Sequence, residues 1–492
     1  MGSTRDVSSA ASVFDEDVFR YHVDLLRPGS PHQGNGEHLL APIVASCVFE
    51  HASGLDQTTQ FGLLAGLHSK LRGAGSSIDD DPRIFFNVTP PSSTFICGSQ
   101  GSGKSHTLAC MLENCLIPCK VGRLPSPLTA IVFHYDTFIS DNMGSPCEAA
   151  FLATHPELEV RVLCSPTNLR TIKGTYSRFN IDVAPLELGQ EHLNTQRMLD
   201  LMAVGQDDGP MPLYMHTVKR ILREMRIVEQ ENETGFDYRE FKQNLMSSNL
   251  TTAQLEPLRQ RLETLESFMP KSHTGKARIT KGRALRRSIW EPQAGRLIIV
   301  DLSCPCISPE TACSLFSICT GIFLEQDTRI GRVMALDEAH KYMNKSVEAR
   351  GFTETLLSAV RLQRHLGVRM IISTQEPTIS TALLNLCSTT IVHRFSSPEW
   401  LRVLRKHLAG ATGDDPVARD ESSNDEEESQ SLFGQIVELG VGEALIFSPS
   451  AIVGASSPGD GRIAFTRLGS GRVYVKIRQR LTCDGGKSVI SL

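Results

Sequence analysis

From residue 94 onward, the chain alternates short, continuously apolar runs with longer segments whose apolar residues recur at helical spacing. Short apolar runs of this kind are typical of strands that are covered on both faces, which favours a central, largely parallel sheet. The runs cover residues 94–97, 130–134, 160–164, 297–301, 333–336, 370–373, 389–393 and 444–447. Because helical patterns lie between them, the sequence predicts an α/β fold with a largely parallel central sheet.

Residues 205–290 interrupt the strand pattern with apolar positions at helical spacing, first around 218–225 and again around 255–269. We interpret this stretch as a helical insertion, either a hairpin or a lid, whose leucines and methionines are buried against the sheet. It ends in a basic linker, 271–287, which holds seven Lys and Arg residues and no acidic residue. The linker fits a solvated segment or a localisation signal as well as a loop that tracks DNA.

Shifts in composition predict the remaining boundaries. Residues 1–93 contain scattered apolar clusters, and we predict a mostly helical approach segment there. The core then falls into two parts, 94–204 and 291–412. Residues 413–430 hold eight carboxylates against one arginine, which predicts an acidic disordered loop. Residues 431–492 are expected to add strands to the core and to end in a tail.

Bulk composition places the chain among globular proteins that can bury a large core, with 492 residues and 40% hydrophobic content. The net charge of −5 does not mark a dedicated nucleic-acid-binding domain. No apolar run approaches the roughly 20 residues of a membrane span, and no secretion signal begins the chain. We therefore expect an intracellular protein, cytoplasmic or nuclear, that does not enter a membrane.

The thirteen cysteines include no C-x-x-C pair, and many lie within apolar runs. This usage is typical of reduced thiols that serve as small hydrophobic residues. The nearest approach to a ligand cluster is Cys304, Cys306 and Cys313, which lacks the second ligand pair of a structural zinc site. Loop and core positions are the better interpretation of these three cysteines.

Residues 98–105 match the phosphate-binding loop pattern G-x-x-x-x-G-K-[ST] at every position. A strand-like run precedes the loop and helical spacing follows it, which is the order that such a loop requires. Its glycines let backbone N–H groups approach phosphate oxygens at the positive end of the new helix. Lys104 is expected to reach the β- and γ-phosphates of ATP, and Ser105 to bind Mg²⁺. The predicted nucleotide-binding residues are Gly98, Ser99, Gln100, Gly101, Ser102, Gly103, Lys104, Ser105 and His106.

Hydrolysis also needs a carboxylate for the metal and a group that activates water, and the end of one apolar run supplies both. Residues 333–336 lead directly into Asp337 and Glu338. At the carboxyl end of a strand, Asp337 can hold Mg²⁺ through a water, and Glu338 can act as the general base. Asp136 and Asp301 also follow strand-like runs, but only Asp337 is followed at once by a second carboxylate.

Residues 337–340 spell Asp-Glu-Ala-His, the box of one helicase superfamily, but too little chain follows residue 395 for the second motor domain of such helicases. The next segments favour another family. A helical pattern over 354–365 is ended by Gly367, and the apolar run after it leads to Gln375. A polar amide at the tip of that strand is suited to sense the γ-phosphate.

With these motifs the chain resembles the HerA/FtsK-type P-loop ATPases of the additional-strand catalytic-glutamate, RecA-like motor superfamily. The resemblance rests on residues 98–105, 337–338, 364–367, 373–375 and 442–447. It implies an Mg²⁺-dependent ATPase that forms a homo-oligomer, a hexameric ring, and moves a polymer such as DNA. It further implies that Gln375 couples nucleotide state to movement and that Arg364 is an arginine finger on the neighbouring subunit's ATP. Arg361, one turn earlier, is the substitute candidate.

Two functional hypotheses follow from these residues. In the first, the chain is a motor that converts ATP hydrolysis into movement of DNA. In the second, it is an ATP-gated switch or assembly scaffold that hydrolyses slowly and recruits protein partners through its helical insertion or its acidic loop. Both hypotheses use the same nucleotide site, and the choice of ATP over GTP rests on the resemblance alone.

Overall fold

The computed structural model of the chain describes residues 40–51, 59–71, 81–137, 144–202, 213–270, 289–326, 329–408, 411, 432–456 and 464–485. Sixteen strands within these residues join a single sheet. The strands are β1 (Ile43–Ala45), β2 (Phe61–Leu67), β3 (Arg83–Asn87), β4 (Ser93–Cys97), β5 (Gly122–Arg123), β6 (Thr129–His134), β7 (Glu159–Cys164), β8 (Asp182–Pro185), β9 (Arg296–Asp301), β10 (Arg332–Leu336), β11 (Val368–Thr374), β12 (Thr389–Val392), β13 (Glu443–Phe447), β14 (Ile452–Ser456), β15 (Ala464–Arg467) and β16 (Val473–Ile477).

The described residues also form α-helices on both faces of this sheet. Several begin at a capped position: Ser308 and Ser346, for example, accept hydrogen bonds from backbone N–H groups of the first turn. None of these helices combines the length and the apolar character that a bilayer span requires. The helices are α1 (Cys47–His51), α2 (His68–Leu71), α3 (Lys104–Leu116), α4 (Leu169–Thr175), α5 (Thr195–Met202), α6 (Leu213–Asn232), α7 (Tyr238–Met246), α8 (Thr252–Phe268), α9 (Pro309–Glu325), α10 (Val347–Arg361), α11 (Gln363–Leu366), α12 (Thr381–Leu386), α13 (Pro398–His407) and α14 (Leu432–Glu438).

One half of the sheet is parallel throughout. Its strands follow the order β12-β4-β11-β10-β6-β9-β7-β8. Each apolar run predicted as a strand coincides with one of the strands, except that the run 389–393 extends one residue beyond β12. The predicted α/β fold with a largely parallel central sheet is confirmed. Strand β11 lies between β4 and β10. Because parallel strands share one direction, their carboxyl ends meet at one edge.

The other half of the sheet is mostly antiparallel and joins strands from both ends of the chain. From β12 it continues through β13, β16, β2, β3 and β1 to β14 and β15. The prediction of a mostly helical segment over residues 1–93 is therefore wrong for its described part, which holds β1, β2, β3 and only two short helices. Local spacing did not reveal these strands. Strand β3 pairs with β1 and β2 within the segment, but β1 and β2 are completed by β14 and β16 from far along the chain, where Leu67 pairs with Val475. Residues 1–39 lie outside the described residues.

Side chains of the parallel strands alternate between two hydrophobic cores, one on each face. In β6, Ile131 and Phe133 belong to the first core, whereas Ala130 and Val132 belong to the second. Helices α5 to α10 cover the first face, and α3 and α4 contribute to the second. Burial of each large apolar side chain contributes about 1.5–3 kcal/mol. These cores hold the strand ends of the parallel half in fixed positions.

Helices α6, α7 and α8 occupy the stretch that we interpret as a helical insertion. Leu258, Leu262 and Leu265 of α8 are fully buried in the first core, and so is Val218 of α6. The apolar positions of the insertion are therefore used for burial over the sheet. The basic linker 271–287 and the acidic loop 413–430 lie outside the described residues, and the predicted domain boundaries stay predictions.

A buried ion pair ties the segment after β16 to helix α3. Glu113 of α3 is fully buried and accepts a hydrogen bond from Arg478 Nη1 at 2.8 Å. It also accepts from the backbone N–H groups of Leu481 and Thr482 and from the Thr482 hydroxyl. Burial acts to raise the pKa of Glu113, but these hydrogen bonds and the Arg478 charge hold it below its ordinary value. The C-terminal segment thus braces the helix that begins at the phosphate loop.

Candidate nucleotide site

The carboxyl edge of the parallel half gathers residues that are remote in the sequence. Strand β4 leads into the phosphate loop, β10 ends just before Asp337, and β11 ends just before Gln375. Strand β11 pairs with both neighbours, so that Thr374 lies opposite Cys97 and Ile372 lies opposite Leu336. The phosphate loop, the twin acids and the polar amide are therefore neighbours on one edge.

The phosphate loop depends on glycine at three positions. Gly98, Gly101 and Gly103 have φ angles of 152°, 72° and 112°, which L side chains rarely adopt. At Gly98 an added Cβ would also lie 2.7 Å from the Cβ of His393, and at Gly103 it would lie 3.1 Å from the Cα of Gly442. His393 and Gly442 therefore pack closely against the loop, and the positions of Gly98 and Gly103 require a residue without a side chain.

The start of α3 presents free backbone donors beside this loop. Gly103 is the N-cap residue, and no side chain caps the helix there. The first backbone N–H with a partner inside the helix is that of Thr107, which donates to Gly103 O at 3.0 Å. The N–H groups of Lys104, Ser105 and His106 precede it and are unpaired within the helix. An uncapped helix start with three such donors is a site for an anion such as a phosphate group.

Lys104 lies at the centre of the site. Its side chain is buried, and Nζ donates a hydrogen bond to Ser99 O at 2.9 Å across the loop. Burial lowers the pKa of Lys104, whereas the carboxylates of Glu338 and Asp337 oppose that shift. The ammonium group and both carboxylates are thus close enough for their charges to act on one another.

Asp337 is almost completely buried at the end of β10, with 2% of its surface exposed. Its Oδ2 lies 3.3 Å from His134 Nδ1 and 3.5 Å from Cys147 Sγ. Its Oδ1 is buried and has no hydrogen-bond partner among the described residues. Burial acts to raise the pKa of Asp337, but the hydrogen bond and charge of His134 outweigh it, so the pKa lies below the ordinary value. The Asp337 carboxylate is therefore ionised, and its Oδ1 is available to bind a ligand.

Glu338 has a left-handed backbone conformation, with φ 48° and ψ 45°. For a residue with a side chain this conformation costs of order 1–3 kcal/mol, and such strain is typical of functional sites. In a continued strand, adjacent side chains would point to opposite faces of the sheet. Here the chain turns sharply at Glu338 into the 3₁₀ turn Ala339–Lys341, which keeps both carboxylates at the edge.

The Glu338 carboxylate is held by two polar neighbours. Gln375 Nε2 donates to Glu338 Oε2 at 3.2 Å, and His340 Nδ1 lies 3.3 Å from the same oxygen. The Glu338 side chain remains 18% exposed, in contrast to the buried Asp337. Burial lowers the pKa of His340, and the negative charge of Glu338 opposes this shift. Gln375 therefore lies where it can hold the proposed base, and no local pattern predicts that His340 also lies beside it.

His393 supports the phosphate loop, and its role was missed from the sequence. The buried ring places Nδ1 at 2.9 Å from Glu443 O and Nε2 at 2.9 Å from Thr107 Oγ1. Because a carbonyl oxygen only accepts, Nδ1 carries the hydrogen and Nε2 accepts from the Thr107 hydroxyl. Burial lowers the pKa of His393 to about 3, so the ring is neutral. A histidine that closes the apolar run 389–393 was the only available signal.

We expect this neutral histidine to make the protein sensitive to acid. The pKa is about 3 in the folded chain and roughly 6.5 in the unfolded chain. Between these values the unfolded state binds more protons, so the stability from His393 is complete above the higher value and is lost as pH falls. From pH 7 to pH 5 the free energy of unfolding should drop by about 2 kcal/mol through this group alone.

Denaturant titrations of the wild type and His393→Asn at both pH values measure this effect. The asparagine keeps a donor for Glu443 O and has no titrating group. The variant should be less stable at pH 7 but should lose less stability on acidification. If both proteins lose the same free energy between the two pH values, His393 is not the acid-sensitive group.

The competing acids have other partners. Asp301 is buried and accepts hydrogen bonds from Tyr176 Oη at 2.7 Å and from the backbone N–H of Ser303. Asp136 pairs with Lys341, whose Nζ lies 3.4 Å from Oδ1. Both follow strands β9 and β6, which lie farther from β4 than β10 does. Among these acids, Asp337 follows the strand nearest to the phosphate loop.

Arg364 is not brought to this edge. It lies exposed on α11, directly before β11, and therefore at the opposite edge of the sheet from Gln375. Seven strand residues span roughly 23 Å. Arg361, at the end of α10, is likewise exposed on that side of β11. Neither guanidinium can reach the nucleotide site of its own subunit, so a role for either requires a neighbouring copy.

The His106 side chain also departs from the simplest expectation. Its Nε2 lies 2.7 Å from Arg478 O, and because that carbonyl only accepts, the imidazole donates to the C-terminal segment. Only the backbone N–H of His106 is left for a phosphate group. The predicted nucleotide contact therefore stays a prediction for the main chain of this residue.

The residues present fit Mg²⁺ and a nucleoside triphosphate. The unpartnered Oδ1 of the ionised Asp337 is a hard oxygen donor of the kind that Mg²⁺ prefers. Ser105 lies half-buried on the first turn of α3, and the free N–H groups and Lys104 favour phosphate oxygens. Asp337 and Ser105 are thus the residues that would hold the metal.

Comparison with known proteins gives no match to a family model and none among curated proteins. Among solved structures, the chain is similar to the plasmid coupling protein TrwB in complex with a non-hydrolysable ATP analogue, with 12% identity, 88% of this chain and 98% of that chain covered, and a TM-score of 0.42. It is similar to VirB4 of Thermoanaerobacter pseudethanolicus, with 12% identity, 87% and 98% covered, and a TM-score of 0.41. It is also similar to the genome packaging NTPase B204 of Sulfolobus turreted icosahedral virus 2, with 9% identity, 77% and 98% covered, and a TM-score of 0.27.

The strand order and the loop geometry carry the assignment of the fold. A phosphate loop follows β4, a pair of acids follows β10, and β11 lies between these two strands. In the order of its motifs and of its strands, the chain resembles the HerA/FtsK-type P-loop ATPases.

Proposed function

We propose that this chain is an Mg²⁺-dependent ATPase of the HerA/FtsK type that moves DNA as a ring of identical subunits. The observation that carries the proposal is the meeting of Lys104 with Asp337 and Glu338 at one sheet edge, where both carboxylates act on the buried ammonium group. Binding of a triphosphate explains the free N–H groups and the buried cation, whereas a surface glycine turn explains neither. The movement of DNA rests on the resemblance of the motifs.

Each residue at the edge has a chemical task in this proposal. The backbone donors of α3 and Lys104 bind the triphosphate and neutralise charge on its terminal oxygens. Mg²⁺, when bound by Ser105 and Asp337, polarises the phosphate oxygens and stabilises charge that develops on them. Glu338 removes a proton from the attacking water, and a positioned base of this kind contributes roughly 10²–10⁴-fold to the rate. Gln375 orients Glu338 through its amide.

The contact between Gln375 and Glu338 also supports a link between hydrolysis and movement. Gln375 directly follows β11. The amino end of β11 begins just after the helix α11, which carries the exposed Arg364. A neighbouring subunit that contacts this end is connected through β11 to the position of the base. We propose that Arg364 contacts the ATP of the neighbouring subunit at this end of β11. The strand β11 then links that contact to the nucleotide site of its own subunit.

Subunit mixing tests the shared site. A subunit with Arg364→Ala keeps an intact nucleotide site, and one with Lys104→Ala keeps an intact arginine. If Arg364 acts on the neighbouring subunit, mixing the two inactive variants should restore part of the ATPase activity, because some interfaces combine both intact halves. The measurement is ATPase turnover across mixing ratios. Mixtures of Arg361→Ala with Lys104→Ala test the substitute candidate in the same way. No restoration at any ratio for Arg364→Ala rules out its role in a shared site.

The proposed function itself is tested by ATPase turnover with and without double-stranded DNA, alongside the mass of the assembled species. We expect stimulation by DNA that falls steeply with salt, because contacts to DNA phosphates release counterions. A multiple of the chain mass should accompany it. Stoichiometric retention of ATP without stimulation would replace the motor with the nucleotide-gated switch. Absence of nucleotide binding would overturn both.

A further inference from the structure

A buried cluster beside the nucleotide site contains a thiol that the proposed ATPase chemistry does not use. His134 at the end of β6, Cys147 and Asp337 bring one nitrogen, one sulfur and one oxygen within 4.8 Å of one another. All three residues are buried. Mg²⁺ prefers oxygen ligands and gains nothing from a thiol, whereas thiolate and imidazole together are typical of zinc sites.

The two spacings from Asp337 Oδ2 fit tetrahedral coordination. With Zn–N and Zn–O near 2.0 Å and Zn–S near 2.3 Å, tetrahedral angles place nitrogen and oxygen about 3.3 Å apart and sulfur and oxygen about 3.5 Å apart. In the structure His134 Nδ1 lies 3.3 Å from Asp337 Oδ2, and Cys147 Sγ lies 3.5 Å from the same oxygen. A cation could therefore replace the shared protons of this cluster without a change in the backbone.

A second observation points to a ligand. Asp337 Oδ1 is a buried carboxylate oxygen without a hydrogen-bond partner among the described residues, on a side chain that is only 3% exposed. A buried ionised oxygen in this state is costly unless a cation or a donor reaches it. A cation bound beside Oδ2, Nδ1 and Sγ would neutralise this carboxylate, and a water would take the fourth position of the metal.

The surroundings of Cys147 also suit a thiolate. Cys147 is the N-cap residue of the 3₁₀ helix Glu148–Thr154, and the nearby Ala149 backbone N–H acts to lower the pKa of its thiol. Its own N–H donates to Tyr176 Oη at 2.9 Å, which fixes the backbone. Metal binding has to displace the thiol proton, because burial raises the pKa of Cys147 to about 12. The nearby Ala149 N–H favours the negative sulfur once that proton has left.

We propose that His134, Cys147 and Asp337 form a site for a thiophilic divalent cation, Zn²⁺, whose binding withdraws Asp337 from catalysis and switches off the ATPase. The inhibitory half of this proposal rests on the proposed function, whereas the metal site does not. Zn²⁺ at the cluster occupies the carboxylate oxygens that Mg²⁺ needs. Phosphate contacts at the loop remain intact, so inhibition should lower turnover and leave nucleotide binding in place.

Co²⁺ alone is the probe for the site, because it takes the place of Zn²⁺ and is coloured. Wild-type protein should bind one Co²⁺ per chain with a thiolate-to-cobalt charge-transfer band and with d–d bands of tetrahedral intensity. Cys147→Ser should lose the charge-transfer band, and the matched control Cys306→Ser, which changes an exposed cysteine, should keep it. A band that is absent from wild type, or that persists in Cys147→Ser, overturns the site.

X-ray absorption at the zinc edge of Zn²⁺-loaded wild type needs no variant and covers the case in which Cys147→Ser fails to fold. We expect one sulfur and otherwise nitrogen and oxygen neighbours. Two or more sulfurs would assign the metal to other cysteines and contradict the proposal.

The regulatory half is read separately. Zn²⁺ added in the presence of excess Mg²⁺ should inhibit wild-type turnover reversibly, with recovery on chelation. The half-inhibiting concentration should rise at least tenfold in Cys147→Ser, each protein being compared with its own metal-free rate. If the chain shows no ATPase activity at all, the proposed function fails while the cobalt spectrum still decides the metal site. Equal inhibition of both proteins would refute the regulatory role.

Discussion

Glu338→Gln should bind ATP as tightly as the wild type and hydrolyse it roughly 10²–10⁴-fold more slowly, which is the contribution of a general base. The amide keeps the size of the side chain and its contact with Gln375 but cannot take a proton. The binding contacts from Lys104 and the start of α3 remain. Single-turnover hydrolysis and equilibrium binding of a labelled nucleotide separate the two effects.

Glu376→Gln is the matched control for this experiment, because it makes the same chemical change at an exposed carboxylate one residue beyond Gln375. Its turnover should stay within about twofold of wild type, in line with surface substitutions away from the chemistry. Equal turnover in Glu338→Gln and wild type would show that Glu338 is not the base, and Asp136 would become the candidate.

Lys104→Ala should abolish nucleotide binding. The buried ammonium interacts with the charges of both Glu338 and Asp337, and its loss leaves two carboxylates facing an anionic triphosphate. The wild type should gain about 2.7 kcal/mol of stability at a ligand concentration 100 times Kd. The variant should gain none.

Thermal unfolding with and without ATP and Mg²⁺ provides the measurement, together with direct binding of a labelled nucleotide. Lys120→Ala, which removes an exposed lysine beyond the end of α3, is the control and should keep the full ligand effect. A ligand-dependent shift in Lys104→Ala that matches wild type would show that the phosphate loop is not the binding site.

The parts of the site that could be predicted from the sequence are those whose neighbours are close in the chain. The phosphate loop is predicted by the glycine spacing between a strand and a helix. Asp337 and Glu338 are predicted by an apolar run that ends in two carboxylates. Their meeting required only the rule that parallel strands share a carboxyl edge. The roles of these residues in catalysis stay predictions.

Other parts depend on contacts that no local pattern contains. Nothing around His393 shows that it packs beneath Gly98, and nothing around Cys147 shows that it reaches Asp337. The strands of residues 40–93 were missed because they are completed by β14 and β16 from the other end of the chain. Strand pairing of this kind is decided by tertiary packing instead of local propensity.

The wall that packs against the phosphate loop has a consequence for synthesis on the ribosome. Gly442 donates its N–H to Ser102 O, and Glu443 O accepts a hydrogen bond from the His393 ring, so the loop is completed by residues that are synthesised long after it. A nascent chain that already displays the whole glycine motif still lacks this support. The support of the phosphate loop therefore cannot be complete until residues 442–443 have been made and have folded back against it.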